Sequence, residues 1–384
     1  MITKIKNCRI VTADEILSGK SLYFENGTVT AITDENLPFD ECIDAEGNYL
    51  SAGLIDLHVH GAANGDFADG DAQAVLDAAN HHCKHGTTTI FPTTLSASYE
   101  SIDRALTAIR EALASGNFLP SFGGVHLEGP YFSQKQCGAQ NPVYITPPVK
   151  SDYERLLKQY GDLIARWSFA PELPGSDEFQ KALLAAGVIP SIGHSDAVYE
   201  DVMAAYEGGC RLITHFYSCI STITRKKGFR QLGIMECGYL LDDITVEAIG
   251  DGCHVPKELF SLLYKIKGRD RICLITDSMR CCGVDIEFAE IGGIPCKIKN
   301  GVACLLDESA FAGSIATADR LIRFAAREVG IPLTDSIRMM TVNPARVMGL
   351  AKKGSLCPGY DADLILFDED INIQKVIVAG KPVA

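Results

Sequence analysis

The sequence predicts an α/β fold, namely a (β/α)8 barrel of the TIM type with a small β-sandwich domain formed from both termini. Apolar segments alternate with segments of helical periodicity, such as 72–85 and 99–115, throughout the middle of the chain. An open, doubly wound sheet is the alternative, but no Gly-x-Gly-x-x-Gly or phosphate-loop motif follows any strand. Eight strand candidates share an apolar body and a polar or small end: 54–58, 87–91, 122–127, 166–170, 188–192, 211–214, 245–249 and 271–275.

The two ends of the chain have a different pattern, with short β-rich runs and tight turns. Runs 21–24 and 28–32 flank Glu25-Asn26-Gly27, and Asn-Gly between such runs is a strong hairpin signal. The C-terminal end has the same character. We therefore expect residues 1–52 and 349–384 to form one small β-sandwich domain and residues 53–348 to form the catalytic barrel.

The composition limits the possible partners. The net charge of −14 argues against a nucleic-acid partner, since phosphate binding needs a basic surface. No apolar run approaches the ~18 residues of a membrane helix, and the first residues lack an apolar signal region, so we expect no membrane association. The fourteen cysteines are scattered and form no Cys-x-x-Cys, which favours reduced thiols and a cytoplasmic location.

Polar residues at the strand ends form the candidate active site, because barrel enzymes carry their chemistry at the carboxyl ends of the strands. His81, His82 and His85 end a predicted helix and are interpreted as helix-end polar residues. His58 and His60 are two apart, so both point to one face of a strand. The other strand-end residues of ligand type are His126, Glu128, His194, His215, His254 and Asp277. This convergence of His, Glu and Asp predicts a metal site.

Several of these segments also resemble one known family. Gly53-Leu54-Ile55-Asp56-Leu57-His58-Val59-His60-Gly61 is similar to the first-strand signature of the amidohydrolase superfamily. His126-Leu127-Glu128-Gly129-Pro130-Tyr131-Phe132 is more specific and resembles the N-acetylglucosamine-6-phosphate deacetylase family. The other matching segments are 193–195, 214–215, 251–255, 276–279, 312–314, 343–345 and 353–364.

The resemblance implies hydrolysis of the acetamide of a hexosamine 6-phosphate, giving the free amine and acetate. It implies that Glu128, His194 and His215 hold a divalent metal, with zinc or iron(II) favoured. His58 and His60 would hold a second metal, which Glu128 could bridge, and Asp277 would be the catalytic acid and base. His126 is expected near the metal but not as a ligand. Substrate contacts are expected from Asp251, Gly252, His254, Phe311, Ala312 and Gly313.

The match is weaker around the predicted substrate site. Ser218-Cys219 stand where the family usually has Asn-Ala for the sugar phosphate, and Ala139-Gln140 stand where it often has x-His. The segment 224–230 is cationic but lacks the family's Pro-Gly. Arg225 and Lys226 are therefore predicted to bind a phosphate or another anion. We expect a homodimer, in which these residues could reach the substrate of the neighbouring subunit. N-acetylgalactosamine 6-phosphate, or another small amide, remains an alternative substrate.

Other functional classes fit the sequence less well. A cyclic-amide hydrolase of the dihydroorotase or hydantoinase type would bridge its metals with a carboxylated lysine on strand four, and the segment 165–172 has no lysine. An adenosine-type deaminase would carry His-x-x-Glu after strand five, where this chain has Gly193-His194-Ser195-Asp196. A non-enzymatic scaffold of the same fold would be expected to lose the ligand residues, which this chain retains.

Overall fold

The computed structural model of the chain describes residues 1–383 and has a mixed α/β fold. Its centre is built from parallel strands in two sheets. One sheet contains Leu54–Val59, Thr87–Pro92 and the short Ser121–Phe122. The other contains, in order, Val125–Glu128, Ile164–Phe169, Ile189–Ile192, Leu212–Ile213, Thr245–Ile249 and Ile272–Ile275. All eight predicted strand regions are thus confirmed as strands.

The strand predicted at 122–127 is split in two by a pair of glycines. Gly124 has φ +119°, and a Cβ on it would lie 2.3 Å from the Cβ of Ala165. Only glycine fits so close to the neighbouring strand with this backbone conformation. The break shifts the segment from the first sheet, where Phe122 pairs, to the second, where Val125 pairs.

The two central sheets contact each other at both of their edges. At one edge, Thr93 and His126 form a parallel bridge. At the other, the amide of Asp277 donates to the carbonyl of His58 at 2.9 Å, while Met339 and Met340 accept from the amides of Leu274 and Ile55. The carboxyl ends of the first and last strands are therefore held side by side, and this brings His58, His60 and Asp277 together.

Helices separate most of the strands and cover the outside of the two sheets. The longer helices lie where the sequence periodicity predicts them. For example, Ala72–Lys84 falls within the predicted segment 72–85, and the Asp71 side chain caps its N-terminus. Within residues 1–383, no helix combines the length and the apolar character needed to cross a membrane. The remaining helices are Tyr99–Ala114, Lys150–Tyr160, Ser176–Ala185, Tyr199–Glu207, Ile234–Leu240, Lys257–Lys267, Ala318–Arg323 (continued as a π-helix to Val329), Leu333–Arg338 and Val342–Val347, with a 3-10 turn at Gln134–Gln136.

The terminal segments form two further sheets, and the predicted Asn-Gly hairpin is confirmed as the pair Ser21–Glu25 and Thr28–Thr33. Residues from both sheets, such as Leu22, Phe24, Leu50 and Leu366, share one buried cluster. The terminal sheet with the hairpin also contains Ile2–Lys6 and Glu41–Asp44. The other terminal sheet contains Arg9–Val11, Ile16–Leu17, Tyr49–Ala52, Leu364–Phe367, Ile373–Val378 and Lys381–Pro382.

Two antiparallel insertions flank the carboxyl ends of the central strands. An exposed hairpin of Thr224–Lys226 and Phe229–Gln231 carries the cationic segment noted in the sequence. A three-stranded sheet of Phe288–Ile291, Ile294–Lys299 and Val302–Leu305 follows the last parallel strand. A further short pair is formed by Gly61–Ala62 and Gly65–Asp66.

Candidate metal centre and active site

Glu128, His194 and His215 form the first group of potential metal ligands. Glu128 Oε1 lies 3.2 Å from His194 Nε2 and 3.0 Å from His215 Nε2, and the two Nε2 atoms are 3.1 Å apart. All three residues are buried. The ligand atoms thus surround a single point, although they come from strands far apart in the chain.

The hydrogen bonds of the two imidazoles show that this point suits a cation. His194 Nδ1 donates to the carbonyl of Gln136 at 2.9 Å, and His215 Nδ1 donates to the carbonyl of Ser218 at 3.1 Å. A carbonyl only accepts, so in each ring Nε2 is left to face the carboxylate. A single proton could form a hydrogen bond in only one of the three contacts among Glu128 Oε1, His194 Nε2 and His215 Nε2. A cation between these atoms would interact with all three. His₂Glu is a familiar ligand set for a catalytic zinc.

His58, His60 and Asp277 form a second group beside the first. Asp277 Oδ1 lies 3.3 Å from His58 Nε2 and 3.1 Å from His60 Nε2. Glu128 lies between the groups, with Oε1 at 3.3 Å from His58 Nε2 and Oε2 at 3.4 Å from His60 Nε2. The geometry allows Glu128 to bridge two cations, as the family resemblance implies.

The electrostatics of this cluster favour positive charge. Burial opposes ionisation of Glu128 and Asp277, but the surrounding imidazoles lower the pKa of both carboxyls, with Glu128 well below its usual value. Burial likewise opposes protonation of His58 and His60, yet Glu128 and Asp277 raise the pKa of His58 to about 9 and that of His60 to about 10. A divalent cation that binds here must displace these protons.

Three of the candidate residues have unusual backbone conformations. His194, His215 and Asp277 each follow a strand and have positive φ values of 47°, 26° and 48°. Such values are uncommon for residues other than glycine, and they concentrate at functional sites. Here the left-handed turn ends the strand and directs the side chain over the sheet edge toward Glu128.

A cavity of about 210 Å³ opens directly onto both ligand groups. The predicted substrate contacts that line it are Ala139, Gln140, Ser218, Cys219, His254, Phe311 and Gly313. His60, Glu128, His194, His215 and Asp277 from the two groups complete its polar lining. The structure adds Leu95, Ile291 and Ala310, which carry no chemical signal in the sequence and reach the site only through the fold.

The other predicted contact residues lie outside this lining. Asp251 accepts hydrogen bonds from His254 Nδ1 and from the amides of Cys253 and His254, all at 2.8 Å, so it orients His254. Gly252 follows Asp251 in the chain, and Ala312 lies between Phe311 and Gly313. Arg225 and Lys226 lie on the exposed hairpin, and within the single described chain they do not reach the cavity.

Gln140 contacts the predicted ligand Glu128 directly. Its Nε2 donates to Glu128 Oε2 at 2.5 Å, and its Oε1 accepts from the amide of Ser96 at 2.7 Å. Both ends of the amide are therefore used to hold the second carboxylate oxygen in place. His126, by contrast, bonds through Nε2 to Ser168 Oγ at 2.7 Å and belongs to neither ligand group.

Comparison with known proteins agrees with this geometry. A family model described as "Amidohydrolase family" matches residues 49–383. The chain is 32% identical to an N-acetylglucosamine-6-phosphate deacetylase of Haemophilus influenzae, with 98% of this chain and 97% of that protein covered. The chain belongs to the N-acetylglucosamine-6-phosphate deacetylase family of amidohydrolases.

Two further relatives of this family bear on structure and substrate. The crystal structure of an N-acetylglucosamine-6-phosphate deacetylase from Pasteurella multocida superposes with a TM-score of 0.92 at 29% identity, covering 100% of this chain and 99% of that one. An N-acetylgalactosamine-6-phosphate deacetylase of Escherichia coli O157:H7 is 28% identical, with 97% of each chain covered. Proteins named for either sugar epimer therefore resemble this chain.

Proposed function

We propose that this protein is a metal-dependent deacetylase that hydrolyses N-acetylglucosamine 6-phosphate to glucosamine 6-phosphate and acetate. The observation that carries the proposal is the pair of ligand groups that share Glu128 at the floor of one cavity, with Asp277 in its wall. Glu128, His194 and His215 would hold the main cation, and His58 and His60 a second. A divalent metal held by these residues would lower the pKa of bound water toward neutrality and would polarise the amide carbonyl.

Asp277 is the residue placed to move the proton. Its lowered pKa keeps the carboxylate ionised at neutral pH, so it can accept a proton from the attacking water. The same carboxyl then returns the proton to the departing amine, which is a poor leaving group until it is protonated. His254, held by Asp251 and stacked edge-on against Phe311 with ring centroids 4.8 Å apart, offers the free Nε2 for a sugar hydroxyl.

The galacto epimer is the second candidate substrate. Ser218 and Cys219 replace the Asn-Ala pair that the family usually places after the sixth strand, and both line the cavity. A serine and a cysteine offer different hydrogen-bond partners from an asparagine amide, so the sugar and its phosphate need not be held as in the rest of the family. Amine release is therefore compared for the two epimers.

An assay of metal content and amine release tests the proposed function. Protein purified without chelator is expected to contain one to two equivalents of a divalent transition metal, with zinc or iron favoured. It is then expected to release free amine from N-acetylglucosamine 6-phosphate faster than from its galacto epimer or from the unphosphorylated sugar. If the purified protein contained no metal, the proposal of a metal-dependent hydrolase would be wrong. A faster rate of amine release from the galacto epimer would make that epimer the substrate.

We further propose that the cationic hairpin binds the substrate phosphate of a second copy in a homodimer. Arg225, Lys226, Lys227 and Arg230 are concentrated on it, and Phe229 is 80% exposed, as expected of a side chain that meets a partner. The hairpin does not reach the cavity of its own chain, which is why the proposal requires a neighbouring subunit.

The double variant Arg225→Ala/Lys226→Ala is expected to raise KM for the phosphorylated sugar by roughly 10-fold or more, because hydrogen bonds to charged groups contribute about 1.5–3 kcal/mol. KM for the unphosphorylated sugar should hardly change. The exposed lysines Lys150 and Lys181 provide a control double variant outside the hairpin. Equal KM changes for both sugars, or a monomer in light scattering, would contradict the shared clamp.

The architecture that supports this function is proposed as follows. The contacts at both edges of the central sheets support a closed (β/α)8 barrel over residues 53–348. The shared buried cluster of the terminal sheets supports a β-sandwich domain of residues 1–52 and 349–384. The cytoplasmic location expected from the fourteen cysteines, all unpaired in the structure, stays a prediction.

A further inference from the structure

A buried ion pair lies directly beneath the two ligand groups. Arg166 and Glu247 come from the fourth and seventh parallel strands, and both side chains are fully buried. Arg166 Nη1 donates to Glu247 Oε1 and, at 3.3 Å, to the carbonyl of Leu57. Its Nη2 donates to Ser191 Oγ at 3.1 Å and to Thr214 Oγ1 at 3.2 Å. The pair thus joins its own two strands to Leu54–Val59, to Ile189–Ile192 and to the residue that follows Leu212–Ile213.

The second oxygen of Glu247 faces the metal-ligand residues. Oε2 lies 3.4 Å from His58 Nδ1 and 3.3 Å from the amide nitrogen of His215. An ionised carboxylate only accepts hydrogen bonds, so His58 must carry a proton on Nδ1. Nε2 of His58 is then directed at Glu128 and Asp277, each 3.3 Å away.

The four imidazoles of the ligand groups differ in how Nδ1 is held. His194 and His215 donate to backbone carbonyls, whereas His60 Nδ1 is buried without a hydrogen-bond partner among the described residues. His58 alone among the four donates to a charged side chain. Of the two imidazoles in the second group, only that of His58 is therefore oriented by a hydrogen bond at Nδ1.

We propose that Glu247, itself held in place by Arg166, is a positioning residue that orients His58 for a second metal ion. A carboxylate behind a ligating imidazole fixes the ring, selects its tautomer and increases its basicity. The inference rests on the proposed metal site. It adds that the second metal depends on the residues beneath the ligands as well as on the ligands themselves.

Two double variants separate the hydrogen bond from the buried charge. Loss of one partner would leave the other charge buried and unpaired, so both must be replaced together. Arg166→Met/Glu247→Gln retains an amide oxygen that can accept from His58 Nδ1. Arg166→Met/Glu247→Met removes the acceptor but has a similar side-chain volume. The two variants therefore share the loss of charge and differ in the hydrogen bond.

Zinc content after dialysis, and zinc retention against a competing chelator, are measured without substrate. Wild type and the Gln variant are expected to hold two equivalents, and the Met variant to hold the second at least about 10-fold more weakly. Equal retention by the Gln and Met variants, or a single equivalent in wild type, would overturn the inference. The zinc measurements use no substrate and are independent of the amine-release assay. A negative amine-release assay would contradict the proposed deacetylase activity but would leave the zinc result unchanged.

A second measurement reads the tautomer in the wild-type protein and leaves the buried Arg166–Glu247 pair intact. In zinc-loaded wild-type protein labelled with ¹⁵N at histidine, the His58 ring is expected to show its proton on Nδ1. The His58→Gln variant assigns the signal by its disappearance. A proton on Nε2 instead would contradict the inference.

Discussion

Replacement of Asp277 by Asn is expected to lower kcat by about 10²–10⁴-fold, which is the usual contribution of a positioned acid and base. The amide keeps the size of the carboxyl but cannot take the proton of the attacking water or return it to the amine. Because Glu128, His194 and His215 do not depend on Asp277, the main metal should remain bound. The measurement is kcat together with metal content for the same preparation.

Asp335→Asn is the matched control for this prediction. Asp335 is also a buried aspartate, and it lies in the helix Leu333–Arg338. It accepts hydrogen bonds from Tyr264 Oη and Arg269 and contacts neither ligand group. Its replacement should leave kcat within a few-fold of wild type. If Asp277→Asn retains substantial activity, the base lies elsewhere in the cavity.

Replacement of Glu128 by Gln is expected to have the largest effect on metal binding. Its carboxylate approaches Nε2 of all four imidazoles, at 3.0–3.4 Å, so it serves both ligand groups. A neutral amide removes the negative charge that Glu128 would offer to a cation in either group. Metal content should fall far below one equivalent, and kcat/KM should fall more than 100-fold, since Lewis-acid stabilisation is worth several kcal/mol.

His126→Asn is the control variant for the metal measurement. His126 lies two residues from Glu128 on the same strand, is equally buried, and bonds Ser168 instead of either ligand group. Its metal content should match that of wild type. Full metal retention by Glu128→Gln would contradict the assignment of Glu128 as the shared ligand.

The two predictions separate the roles of neighbouring carboxyls. Asp277 and Glu128 both contact His58 and His60, yet Asp277→Asn should lose turnover with the main metal bound, while Glu128→Gln should lose the metal itself. Measured together, the two variants show whether the proton-transfer and metal-binding functions belong to different residues.

Much of the candidate site could be predicted because strand geometry is regular. Side chains two apart share a face of a strand, so His58 and His60 could be placed together from their spacing alone. Parallel strands that alternate with helices bring their carboxyl ends to one edge, so Glu128, His194, His215 and Asp277 could be expected to meet. These arguments use only local periodicity and strand order.

The supporting residues could not be predicted in the same way. Gln140 reaches Glu128 from a loop, whose path depends on packing rather than on periodicity. Arg166 and Glu247 are separated by 81 positions along the chain and meet only in the folded interior. A signal was present, since each is a charged residue within an otherwise apolar strand, and buried charges are retained only when paired. The sequence alone could not show which partner each one has.

The sequence by itself determined the succession of strands, the candidate metal-ligand residues and the family, because these follow from spacing and from motifs contiguous in the chain. Only the tertiary structure decided that Asp277 lies with His58 and His60, that Glu128 stands between the groups, and that Glu247 supports His58 from below. Hydrogen bonds form over about 3 Å between side chains from different strands. Distances of that size depend on how the strands pack, which no local pattern specifies.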